Sequence, residues 1–218
     1  MSGNEQQAVA ERISQAVDAA RERILALHRS YVQVRSVTGV EGPMGLRVAE
    51  TFRERGLDTE TWAATAREMQ PYLEHVGEQP GYEGRWNVAG RKPGAGGGRS
   101  ILLNAHIDTV PEGDHSLWTQ PPFAANLVNG RIYGRGSCDM KGGLTTHLAA
   151  LDALAACGLR LKGDVTVAAT VGEEDGGIGA LSTVLRGYKA DAALVTEPTQ
   201  LALVTACEGS LVFRLTIT

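Results

Sequence analysis

The stretch Ile101–Pro111, ILLNAHIDTVP, decides how this chain is read, because an apolar run ends there in a histidine and an aspartate two residues apart. Successive side chains of an extended strand point to opposite faces, so His106 and Asp108 fall on one side just where the run stops. An imidazole ligates a metal well when a carboxylate or carbonyl fixes its other ring nitrogen, and Asp108 is near enough to do this for His106. By itself the pair reads more readily as structural, since H-x-D arises by chance in many chains.

Toward the N-terminus, Val9, Ile13, Val17, Ala20, Ile24 and Leu27 recur at helical spacing and predict one helix from about Glu5 to Val34, with His28 a surface or cap residue at its end. Pro43 suits the first turn of a second helix that Gly56 closes. Leu57–Trp62 and Arg85–Arg91 read as strands, and residues 63–84 as a loop in which His75 is an ordinary polar residue. KPGAGGGR is the flexible turn into the central stretch.

Beyond Pro111 a long polar, proline-rich segment carries His115, which is not expected to be a ligand, and Trp118 and Phe123, which line either a cleft or the loop's own small core. Asn129-Gly130 within it signals a hairpin. Asp139 then opens a helix with Leu144, Leu148, Leu151 and Leu154 as its apolar stripe, His147 solvated, and Gly158 as its stop. Asp139 alone is as readily a simple N-cap. DVTVAATV (164–171) is a buried strand that stops at Glu173 and Glu174, and a helix from about Ile178 to Arg186 follows. ADAALVT (190–196) is another strand, ending in Glu197-Pro198. LALVTAC and LVFRLTIT read as two strands joined by a turn.

Composition narrows the class. Apolar residues at 43% and charged residues at 21% describe a globular chain. A net charge of −4 offers no basic face for nucleic acid. Neither a signal-peptide core nor a membrane-spanning run is present, so a cytoplasmic location is expected, with no membrane partner. Cys138, Cys157 and Cys207 have no C-x-x-C spacing, so a metal would be held by histidine and carboxylates.

Strands alternating with helices give an α/β class with a largely parallel sheet flanked by helices, and ligands of such sheets bind beyond the strands' carboxyl ends. His106, Asp108, Glu173, Glu174 and Glu197 all sit at such ends, and Asp139 begins a helix after a glycine-rich turn. Their joint placement points to a metal site.

HIDTVP, GRGSCDMKGG, EEDGG and EPT, in this order, resemble the dinuclear zinc amidohydrolases and peptidases that include acetylornithine deacetylase, succinyl-diaminopimelate desuccinylase, aminoacylase and glutamate carboxypeptidases. The resemblance implies two zinc ions, with cobalt able to substitute. It makes His106 and Glu197 ligands of the first metal, Asp139 the bridge, Glu174 a ligand of the second, Asp108 the partner that orients His106, and Glu173 the general base. The implied reaction is hydrolysis of an N-acyl amino acid's amide; a metallo-carboxypeptidase or dipeptidase acting on short peptides is the alternative. Cys138 is a weaker rival nucleophile, having no histidine partner in a motif.

The resemblance also implies a lid and dimerisation domain inserted after a strand like LVFRLTIT, followed by a last histidine for the second metal. Residues 1–218 are therefore expected to be the N-terminal portion of the catalytic domain, with the lid and the rest of that domain absent. A homodimer is expected only of the full-length protein. Without that last histidine the second metal has only Asp139, Glu174 and solvent, so the first metal is expected to bind better than the second and this stretch alone to have little or no turnover.

Overall fold

The computed structural model describes residues 2–77, 79–206 and 216. In chain order the elements are α1 (Gly3–Ala19), α2 (Arg21–Val32), α3 (Gly42–Glu54), β1 (Asp58–Trp62), α4 (Ala66–Met69), α5 (Leu73–Val76), β2 (Asn87–Lys92), β3 (Ile101–His106), β4 (Asn126–Val128), β5 (Arg131–Tyr133), α6 (Lys141–Ala156), β6 (Val165–Thr170), α7 (Ile178–Leu185) and β7 (Ala192–Val195).

A five-stranded sheet in the order β1-β2-β6-β3-β7 forms the centre, and β4 and β5 make a separate hairpin closed at Asn129 and Gly130. β3 runs parallel to both β6 and β7, while β2 is antiparallel to β6 and to β1. Within this sheet all strands but β2 therefore point one way, and the α/β class with a mostly parallel sheet holds. The central strands are apolar on both faces because helices cover them: Val167, Ala168 and Ala169 of β6 are fully buried, as are Leu144 and Leu148 of α6 and Val48 and Phe52 of α3.

Register decides what the carboxyl ends present. His106 is level with Thr170, so Glu173 and Glu174 lie just beyond the same edge. Asn104 pairs with Val195, which brings Glu197 level with His106 two residues on.

Several local expectations need correction. The long first helix is two helices, separated at Ala20, whose amide already bonds back to Ala16 and Val17. Residues 63–84 contain the one-turn helices α4 and α5; Thr65 caps α4 by accepting from the Glu68 amide. α6 starts at Lys141 with Met140 at its cap position, so Asp139 precedes the helix and does not cap it. Leu201–Ala206 is not a strand and is exposed, and β7, fully exposed along its length, is the described edge of the sheet. The reading of LVFRLTIT as a strand falls almost wholly outside the described residues.

His147 is the largest correction: it is buried, not solvated, because the face of α6 that it shares packs toward the end of β7. Its Nε2 lies 3.1 Å from the Thr196 hydroxyl, and its Nδ1 has no hydrogen-bond partner. Burial pushes its pKa down to about 4 from the ordinary 6.5. Between those values the unfolded chain binds the extra proton and the folded one does not, so stability is complete above about pH 6.5 and is lost as the pH falls toward 4, at about 1.4 kcal/mol per pH unit. Urea unfolding at pH 7 and pH 4.5 checks this: His147→Asn is expected to lose less stability on acidification than the unaltered protein.

Candidate metal centre

The rim is assembled around two residues of one strand end. His106 is buried; its Nδ1 lies 2.9 Å from the Asp108 carbonyl and 3.6 Å from the Asp108 carboxylate. With Nδ1–H directed at that carbonyl, Nε2 faces outward, 2.9 Å from Asp139 Oδ1, 3.9 Å from Glu197 Oε1 and 4.0 Å from Glu173 Oε2. Burial opposes a positive imidazole, but Asp108, Asp139 and Glu197 outweigh it and raise His106 to about 9.

Asp108 is fully buried, yet its carboxylate is satisfied. Oδ1 accepts from the Glu173 amide and Oδ2 from the Glu174 amide, each at 3.1 Å, and Oδ2 also accepts from the Thr38 hydroxyl at 3.1 Å. Burial raises its pKa, and His106 with the two amides lowers it further than that, so it stays anionic. The backbone of the loop after β6 is thus bonded to the end of β3.

Asp139 is carried by a turn whose shape requires glycine. Gly136 has φ +77°, and a Cβ there would approach Thr109 Cγ2 to 2.5 Å. Lys141 closes the turn: fully buried, it donates from Nζ to the Tyr31 carbonyl at 3.1 Å and the Val34 carbonyl at 2.7 Å. Burial pulls its pKa down to about 7 against the opposing pull of Asp108. Sequence reading passed over Lys141 and Thr38, since a lysine at a helix start and a threonine in a loop carry no signal until their partners are known.

Two groups of three donor atoms, each within 4.8 Å of one another, form among the described residues: His106, Asp139 and Glu197, and His106, Glu173 and Glu174. The first matches the ligand set expected for the first metal. The expected second set does not recur in that form, since Glu174 groups with His106 and Glu173 while Asp139 groups with Glu197. None of His28, His75, His115 or His147 joins either group. His28 is itself half-buried against Thr145, away from the surface position expected of it. The donor chemistry fits a divalent cation, because imidazole nitrogen and carboxylate oxygen suit zinc. So does the electrostatics: burial raises the pKa of Glu174, with Asp139 adding to it, and burial likewise raises Glu197 against the pull of His106, with Asp139, Glu173 and Glu174 adding to the rise. A cation would relieve that crowding of anions.

Fold and rim together define an α/β domain with a histidine–carboxylate cluster at the carboxyl edge of its sheet. Residues 102–208 match Peptidase family M20/M25/M40. A curated relative, N-formyl-4-amino-5-aminomethyl-2-methylpyrimidine deformylase of Halalkalibacterium halodurans, is 44% identical over 99 residues, spanning 45% of this chain and 23% of the relative. Succinyl-diaminopimelate desuccinylase of Rhodopseudomonas palustris is 37% identical over 117 residues, 51% of this chain and 30% of the relative. Among solved structures, the di-peptidase Dug1p of Saccharomyces cerevisiae superposes with a TM-score of 0.72 at 17% identity, over 86% of this chain and 40% of that one. The metallo-carboxypeptidase Sso-CP2 of Sulfolobus solfataricus gives 0.63 at 21% identity, over 79% and 37%. The matched stretch thus spans less than a third of either curated relative.

Replacing Asp108 by alanine removes the acceptor of two amides and a hydroxyl and strands the buried His106. Denaturant unfolding is expected to show a loss of roughly 3–5 kcal/mol.

Proposed function

We propose that residues 1–218 form the N-terminal portion of the catalytic domain of a metal-dependent hydrolase that cleaves the amide bond of an N-acyl amino compound. A lid and dimerisation domain and the remainder of the catalytic domain would complete it in the full-length homodimer. The observation that carries the reading is the convergence of His106, Asp139 and Glu197 within 4.8 Å at the edge formed by β3 and β7, beside the Glu173–Glu174 loop.

His106 and Glu197 would hold a first zinc, Asp139 would be shared, and Glu174 would hold a second, cobalt being able to substitute. When bound, such ions supply Lewis acidity that polarises the scissile carbonyl and makes water a nucleophile near neutral pH. The protein's own groups do the rest. Asp108 fixes the His106 ring through its carbonyl, and Thr38 and the two glutamate amides keep Asp108 in place. Glu173 exposes half its side chain at the rim, beside the ligands but free to move a proton. It accepts a proton from the attacking water and delivers it to the departing amine.

The deacylase reading is favoured over a carboxypeptidase or dipeptidase because the curated relatives named above are a deformylase and a desuccinylase, both names denoting removal of an acyl group. The peptidase likenesses rest on fold alone. Assays of the full-length protein with N-formyl, N-acetyl and N-succinyl amino compounds beside dipeptides test this; cleavage of dipeptides alone overturns it.

Glu173→Gln in the full-length protein is expected to lower kcat by about 10²–10⁴ with metal content unchanged. Zinc titration of residues 1–218 is expected to show one tight step and a second much weaker one, with little turnover.

A further inference from the structure

Besides its bonds to Asp108, the loop bearing Glu173 and Glu174 is fastened by groups the proposed reaction does not use. Arg85 is a buried guanidinium, 1% exposed. Its Nε and Nη2 donate to the Glu41 carboxylate at 2.9 and 2.7 Å, and its Nη1 donates to Gln79 Oε1 at 3.2 Å and the Gly81 carbonyl at 3.1 Å. Nη2 also reaches Asp175 Oδ2 at 3.3 Å. The Gln79 side-chain amide donates in turn to the Asp175 carbonyl at 2.9 Å and the Val76 carbonyl at 2.7 Å. Asp175, next to Glu174, is therefore held by both its side chain and its backbone.

Packing leaves the loop no slack. A Cβ at Gly176, whose φ is +126°, would come within 2.2 Å of the Val76 carbonyl oxygen. A Cβ at Gly172 would meet Asp175 Oδ1 at 2.7 Å and Arg85 Nη2 at 2.8 Å. A buried ion pair is weak support for stability, since apolar groups of the same volume serve as well. Its placement behind a pair of glutamates calls for another account.

We propose that Arg85 and Gln79 are positioning residues that act through Asp175 to set where the Glu173 and Glu174 carboxylates stand at the rim. The proposal rests on the reading of Glu174 as a metal ligand. His106, Asp139 and Glu197 belong to other segments, and none bonds to Arg85, Gln79 or Asp175. A positioning role therefore affects the two cation sites unequally, whereas a brace that only stabilises the fold leaves their ratio alone.

The test is Co²⁺ titration of the protein with Asp175→Asn and, separately, Gln79→Ala. Arg85→Ala is avoided because it would strand the buried Glu41 carboxylate and unfold the chain. The tighter step is expected to be unchanged in both variants and the weaker one to fall about 10–100-fold, with an altered visible spectrum for the second equivalent. In metal-free protein, amide exchange at Glu173 and Glu174 is expected to quicken. Two affinities that stay put, or that fall in parallel, overturn the positioning role while leaving the metal centre intact. An unaltered protein that takes up no divalent cation overturns the metal centre, and the positioning role with it.

Discussion

The rim depends on one buried anion. Asp108 has no solvent to satisfy it, and an unpaired carboxylate at that depth would be expelled or neutralised. It is retained because three donors from two other segments converge on it, the Thr38 hydroxyl and the amides of Glu173 and Glu174, while its own carbonyl receives the His106 ring. One side chain thereby joins the end of β3 to the loop after β6 and fixes which nitrogen of His106 looks outward. That nitrogen lies 2.9 Å from Asp139 Oδ1.

The sheet supplies the rest of the geometry. Parallel neighbours in register end at one level, so residues far apart in the chain arrive at one edge, where open α/β sheets bind ligands. β3 contributes His106, β6 the two glutamates, and β7 Glu197. Asp139 comes from outside the sheet, on a turn clamped by Lys141 to the end of α2. The donors are thus delivered by four separate pieces of backbone, and three of these are fastened from elsewhere: the glutamate loop through Asp108 and Asp175, the Asp139 turn through Lys141, and the segment beside Glu197 through the His147–Thr196 contact.

Much of this was legible in the chain. Continuous apolar or small-residue runs marked β3, β6 and β7, Asn129-Gly130 marked the hairpin, and Gly158, with φ +67°, stopped α6 as its position foretold. The legible features are local: each depends on residues within a few positions of one another. The misreadings are local as well, but their causes are distant. His147 looks solvated on a helical wheel that counts only the Leu stripe, and it is buried because β7 ends against that face. Asp139 looks like a cap because short polar residues favour caps, yet the helix begins two residues later.

The sequence by itself determined the α/β class, the strand ends, and which side chains were chemically able to share a cation, because residue type and spacing set those directly. Only the tertiary structure decided that Glu174 groups with His106 and Glu173, that Lys141 and Arg85 are buried with backbone or carboxylate partners, and that Asp108 is bonded to two amides some 65 residues away. Those facts depend on register and on long-range packing, which bring together groups whose separation along the chain carries no trace of their contact.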